Sequence, residues 1–159
     1  MRTVKNNYNS HLTMEQNLKE FLLAKGYNKI PLSFTNTNHF ELRAHLNGIQ
    51  GRFILDTGAS NTCIGLDCVD HFKLFAEDSE IKASGAGGNN LLTKVSKNNV
   101  LHIKGWSKRK LEVVVFDLTH VNQALTMHDA LPVHGIIGAD VLKKGKAVID
   151  YKKKNLYLK

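Results

Sequence analysis

In the stretch Phe53-Ile54-Leu55-Asp56-Thr57-Gly58-Ala59-Ser60, an apolar run ends on one acidic residue at a tight Thr-Gly turn. The apolar run anchors in a core, and the turn presents the carboxylate where it can give and take protons. Gly58 permits a close backbone approach or an unusual φ. The hydroxyls of Thr57 and Ser60 are placed to hydrogen-bond the carboxylate. Other reactive residue types lack a pattern that would use them. Cys63 and Cys68 are too few and too close for a disulfide framework and belong to no metal-type Cys/His cluster. Cys63 reads as a small core residue. His120, His128 and His134 share neither helical nor zinc-type spacing and read as loop histidines, so no metal is expected. The cluster Ser84-Gly85-Ala86-Gly87-Gly88 is followed by no Lys-Ser/Thr pair and no helix start, which argues against a phosphate cradle. No cofactor is expected.

The elements that must position Asp56 follow from period and punctuation. Phe40, Leu42, Ala44 and Leu46 alternate with Glu41, Arg43 and His45, and Asn47-Gly48 supplies a type I′ turn back into Ile49 to Leu55. Asp56 therefore rides on the end of a hairpin's second strand. Asn61 to Ile64 continues as the outgoing strand, and Leu66 to Phe75 reads as a loop or short helix. Strands over Ile81 to Ala83 and Leu91 to Val95 flank the glycine cluster. Val100 to Ile103 and Leu111 to Phe116 read as strands joined by a charged turn around Lys108, and Thr119 to His134 as a long loop. A short helix over Ala139 to Lys144 ends at Gly145, before closing strands at Ala147 to Asp150 and Leu156 to Leu158. Upstream, residues 1–12 are polar and expected to be mobile. Thr13 to Gln16 has capping-box spacing, and Met14, Leu18, Phe21 and Leu22 repeat at helical intervals up to Gly26. The division is an extension over residues 1–30, with an amphipathic helix at about 13–26 packed on the domain, and one domain over 31–159.

With 159 residues and 42% hydrophobic content the chain can bury a core. The net charge of +8 is concentrated in Lys108-Arg109-Lys110, Lys143-Lys144 and Lys152-Lys153-Lys154, without interleaved aromatics on which bases could stack. These runs read as solvated turns, and nucleic acid is not expected as a partner. Residues 1–10 lack the apolar core of a signal peptide, and no apolar run approaches the ~20 residues of a membrane span. A cytoplasmic protein without membrane contact is expected.

The Asp56-Thr57-Gly58 loop resembles the active-site loop of aspartic proteases, in the retropepsin-like branch of single-lobed enzymes. Ser84 to Gly88 looks like that family's flap tip. Ile136-Ile137-Gly138 is similar to the segment that backs the catalytic loop, and Val148 to Tyr151 with Leu156 to Leu158 to the closing strands. The resemblance implies a mainly β retropepsin-like acid-protease barrel with one short C-terminal helix, here with an added N-terminal helix. It implies that Asp56 is catalytic, supported by Thr57, Gly58, Ala59 and Ser60, with Thr57 hydrogen-bonding across a dyad and Gly58 at a close backbone approach. Ser84, Gly85, Ala86, Gly87 and Gly88 would form a flap over an extended peptide. Such chemistry needs two carboxylates about 3 Å apart that share one proton. Only one Asp-Thr-Gly is present: Asp117, Asp140 and Asp150 are followed by Leu-Thr, Val-Leu and Tyr-Lys. The implied enzyme is a homodimer cutting peptide bonds; the alternative is a non-catalytic peptide-binding or dimerisation module on the same fold.

Overall fold

A computed structural model describes residues 18–85 and 88–159, with side chains outside 80–91. Residues 1–17, including the expected capping box, and the flap residues Ala86 and Gly87 lie outside the described residues. A helix over residues 18–24 (α1) is closed by Gly26 at φ +83, whose N–H donates to Leu23 O at 2.9 Å. Of its apolar residues Leu22 is buried, while Leu18, Phe21 and Leu23 are exposed. The strand β1 (Asn28–Pro31) follows and crosses the expected boundary at residue 30.

The strands β2 (Ser33–Phe34), β3 (Phe40–Leu46), β4 (Ile49–Leu55), β5 (Cys63–Gly65), β6 (Ala76–Gly85), β7 (Gly88–Ile103), β8 (Trp106–Phe116) and β9 (Gly135–Ile137) form one sheet in the order β2-β3-β4-β9-β5-β8-β7-β6. A further β3–β7 pairing, His45↔His102 and Leu46↔Leu101, joins its two sides. The circuit β3-β4-β9-β5-β8-β7 is thereby a closed six-strand barrel, which removes the free edges of those strands. β10 (Val148–Asp150) and β11 (Asn155–Leu158) make a second sheet with β1, in the order β1-β11-β10. The fold is mainly β, as the sequence implies.

The β3/β4 hairpin has the expected alternation, with Phe40, Leu42, Ala44 and Leu46 buried and Arg43 and His45 exposed. Its turn residues Asn47 (φ 51) and Gly48 (φ 83) are both left-handed, as a type I′ turn requires. The barrel interior holds Phe53, Phe72, Ile64, Leu101, Ile103, Leu111 and Ile137, all fully buried. Residues 66–75 form a short 3-10 helix, Leu66–Cys68, and a turn that inserts Phe72 into this core.

Two expectations are corrected. The chain turns at Lys104 (φ 53) and Gly105, and Lys108, Arg109 and Lys110 belong to β8. Between the pairs Asn99↔Leu111 and Leu101↔Lys108, β8 has one residue more than β7, and Lys110 has φ 52. This bulge breaks the two-residue period, so a charged run fits inside a strand. Residues 119–134 contain a helix, α2 (Thr119–Thr126), introduced by Asp117, whose Oδ1 accepts the Thr119 N–H at 2.8 Å. Val121 and Leu125, four residues apart, cover the outer face of Ile54 together with Val133 and Ala130. The last helix, α3 (Ala139–Lys144), buries Val141 and Leu142. His134 lies in the loop before β9, where it is anchored: its Nδ1 accepts the Arg52 N–H at 3.1 Å and its own N–H donates to Arg52 O. Among the described residues no helix is long and apolar enough to cross a membrane.

Candidate active site

Asp56 lies just past β4, on a loop whose position follows from how three strands pair. β9 runs parallel to β4 (Leu55↔Ile137) and antiparallel to β5 (Cys63↔Ile136), so it is threaded between the two strands that the loop 56–62 connects. The loop must pass over the end of β9. Asp56 N–H donates to Ile137 O at 3.0 Å, continuing the parallel ladder by one residue. Glycine is dictated at both ends of β9 by space. A Cβ on Gly135 would lie 2.3 Å from Cys63 O, and one on Gly138 would lie 2.6 Å from the Asn61 carbonyl and 2.9 Å from Ala59 O.

Gly138 is therefore the point of close backbone approach. Within one chain Gly58 is not left-handed, and a Cβ there would meet only Asp56 Oδ1, at 3.2 Å. What Gly58 contributes is its N–H, which donates to Asp56 Oδ1 at 2.8 Å and fixes the carboxylate's orientation. Ala59 N–H closes the turn on Asp56 O at 3.3 Å. Among the described residues neither Thr57 nor Ser60 hydrogen-bonds the carboxylate. Asp56, Thr57, Gly58 and Ser60 are exposed and Ala59 is half-buried. The second carboxylate oxygen is thus left to solvent or to whatever approaches the loop tip.

Two residues that the sequence reading passed over tie the loop down. Thr62, only 1% exposed, donates from Oγ1 to Asp140 Oδ1 at 2.8 Å and accepts the Gly138 N–H at 3.1 Å. Asp140, in the first turn of α3, also accepts the Val141 N–H at 2.8 Å, and Ala139 N–H donates to Ala59 O at 2.7 Å. A carboxylate at a helix N-terminus is favourably placed, which is the one local signal Asp140 offered. Cys63, the first residue of β5, is half-buried rather than a core residue, and its Sγ donates to Asn61 O at 3.1 Å. Burial, then the carboxylates of Asp140 and Asp56, push its thiol up to about 12. It stays protonated and is no nucleophile.

Ile136 and Ile137 back the loop from β9, the latter fully buried. Of the expected flap, Ser84 and Gly85 end β6 and Gly88 begins β7, with Gly85 paired to Gly88. A depression of about 370 Å³ beside the loop is lined by Thr57, Ala139, Leu142 and Ile149, with Lys143 and Lys146 among its other residues. Among the described residues no group of three or more His, Cys, Asp or Glu could hold a metal. One carboxylate held this way can take up a proton, but it cannot at the same moment be acid and base.

The fold has solved counterparts. A retropepsin-like aspartic protease from Rickettsia conorii superimposes with a TM-score of 0.58 at 20% identity, over 83% of this chain and 90% of that one. EIAV protease, in complex with the inhibitor HBY-793, does so with a TM-score of 0.53 at 19% identity, over 74% of this chain and 98% of that one. A search of curated proteins gives no significant match. The aspartyl protease family model matches residues 42–141, from within β3 to the first turns of α3, a span that includes the Asp56 loop, the β6/β7 hairpin and β9. By that match the chain belongs to the aspartyl protease family, and its fold is that of the retropepsin-like enzymes.

Proposed function

We propose that two copies of this chain form an aspartic endopeptidase in which Asp56 of each supplies one of the two catalytic carboxylates. The observation that carries the reading is the exposed Asp56 side chain at the tip of a loop held from beneath by Ile137, Thr62 and Asp140. A carboxylate so rigidly presented, in a chain of the aspartyl protease family with a single Asp-Thr-Gly, is half of a site. A two-fold axis through the loop tips completes it. Residues 31–159 are the catalytic unit in this reading, and residues 1–30 an extension.

In the dimer the two carboxylates share one proton, because like charges at such a separation cannot both ionise. The ionised Asp56 takes a proton from a water molecule, whose oxygen adds to the peptide carbonyl carbon. The protonated Asp56 gives its proton to the carbonyl oxygen, producing a neutral gem-diol. Collapse returns a proton to the leaving amine, and no electron donor or acceptor is needed. The Gly58 N–H to Oδ1 bond keeps one carboxylate oxygen oriented throughout. Thr57, exposed next to Asp56, meets the other chain's loop across the axis. The β6/β7 hairpin tip, Ser84 to Gly88, closes over an extended peptide held by main-chain hydrogen bonds. The direct test is cleavage of a quenched-fluorescence peptide library: turnover by the native chain and none by Asp56→Asn supports the reading, and equal turnover by both overturns it.

A further inference from the structure

A second constellation lies on the outer face of the β3/β4 hairpin, below the Asp56 loop. Arg43 on β3 stands directly across from Arg52 on β4. Like charges at such positions repel, and only one of the two is neutralised within the fold: Glu41 Oε1 lies 3.4 Å from Arg52 Nε. Among the described residues Arg43 has no hydrogen-bond or ion-pair partner. Both arginines line a cavity of about 230 Å³ together with Gln50, Leu131, Pro132 and His134.

The polar lining is made almost entirely of donors. Arginine has no acceptor. The Nδ1 lone pair of His134 is occupied by the Arg52 N–H, so the neutral ring carries its proton on Nε2 and offers that N–H. The His134 ring is fixed by stacking on His71, with centroids 5.1 Å apart and planes 19° from parallel. His71 is itself tied to the hairpin, its Nε2 3.3 Å from Gln50 O. Leu131, 61% exposed, and Pro132 give the cavity an apolar side. No acidic residue lines it: Glu41 Oε1 lies against Arg52 Nε, and the Asp67 carboxylate acts on His134 from outside the lining.

We infer that this cavity is a binding site for a small oxyanion, a carboxylate or phosphate group carried on a short apolar body. The oxyanion would bridge Arg43 and the terminal amino groups of Arg52 by charge-assisted hydrogen bonds, relieving the repulsion between them, with His134 Nε2–H as a third donor. Its apolar body would lie against Leu131 and Pro132. Nothing in this depends on Asp56.

The test is a titration of the isotope-labelled full chain, followed by amide chemical shifts, with N-acetyl-leucine as one arm and inorganic phosphate as the other. Sodium chloride at matched ionic strength is the control. Saturable shifts at Gly51, Arg52 and His134 are expected with at least one of the two anions and not with chloride. Tighter binding of N-acetyl-leucine identifies a carboxylate ligand and should weaken in Leu131→Ser, whereas tighter binding of phosphate identifies a phosphate ligand. Arg43→Gln, which removes a side chain without a partner in the fold, should weaken binding about tenfold or more. Absence of saturable shifts at millimolar anion, equal shifts with chloride, or unchanged affinity in Arg43→Gln would each overturn the inference. Asp56→Asn should bind as the native chain does, which separates the outcome from the proposed peptidase.

Discussion

Thr62 Oγ1 donates to Asp140 Oδ1 at 2.8 Å across 78 residues of sequence, and the same oxygen accepts the Gly138 N–H. One hydroxyl thus joins the end of the Asp56 loop, the residue after β9 and the start of α3. Thr62→Val keeps the shape and removes both roles, leaving the Gly138 N–H buried without a partner. The expected loss is about 1–3 kcal/mol, read as a fall in Tm of about 2–4 °C per kcal/mol for a chain of this size. Thr62→Ser should restore most of it. Equal Tm values for Thr62→Val and the native chain would mean that the bond does not hold the loop.

Space, not backbone conformation, demands glycine at residue 138. A Cβ there would press on the Asn61 carbonyl at 2.6 Å, whereas one on Gly58 would meet only the Asp56 carboxylate at 3.2 Å. Gly138→Ala should therefore cost about 1–3 kcal/mol of stability, the range for overpacking, and Gly58→Ala much less. Thermal melts of the two variants check the order, and a reversed order would contradict the packing described here.

His134 sets a pH dependence of stability. Burial, then the neighbouring His71 ring and the Arg52 charge, hold its pKa below the ordinary 6.5, against opposing pulls from the Arg52 backbone hydrogen bond and from Asp67. Between the folded value and 6.5 the unfolded chain binds the proton and the native chain does not, so stability declines as pH falls through that window. Above it both states are neutral and His134 contributes no slope. His134→Asn, whose amide oxygen can accept the Arg52 N–H in place of Nδ1, should flatten this part of the Tm-versus-pH curve. A native curve that rises as pH falls from 6.5 would contradict the assignment.

The proton shared by two Asp56 carboxylates sets a pH dependence of activity. Turnover should fall as pH rises through the upper macroscopic pKa of the pair, since a doubly ionised dyad has no acid to donate. Metal chelators should leave it unchanged. Peptide turnover that climbs steadily past neutral pH, or that a chelator abolishes, would contradict the dyad.

The parts of the fold that sequence made legible are those whose signals are local. The β3/β4 hairpin declares itself by a two-residue period and by Asn47-Gly48, and α3 by its place between Gly138 and Gly145. The Asp56 turn could be read from its own Thr-Gly punctuation, whereas the segment behind it, Ile136-Ile137-Gly138, could be read only through its resemblance to the family's. Where pairing is irregular the signal fails. The bulge near Lys110 hides the period of β8, and α2 has only Val121 and Leu125 to mark its buried face over eight residues. The supports of the loop were illegible for another reason. Thr62 and Asp140 matter through partners 76 and 78 residues away, and nothing near either residue announces that partner.

The central claim, that one site takes Asp56 from each of two chains, is tested most directly by mixing. Asp56→Asn keeps the side-chain shape and cannot ionise, so a native chain paired with this variant has one carboxylate where two are required. Increasing variant is added to a fixed amount of native chain, subunit exchange is verified by a mass tag, and peptide turnover is measured. The account predicts that turnover falls with the fraction of native–native pairs expected from random association. Turnover that stays constant while exchange proceeds would show that each chain carries a complete site by itself, and would contradict it.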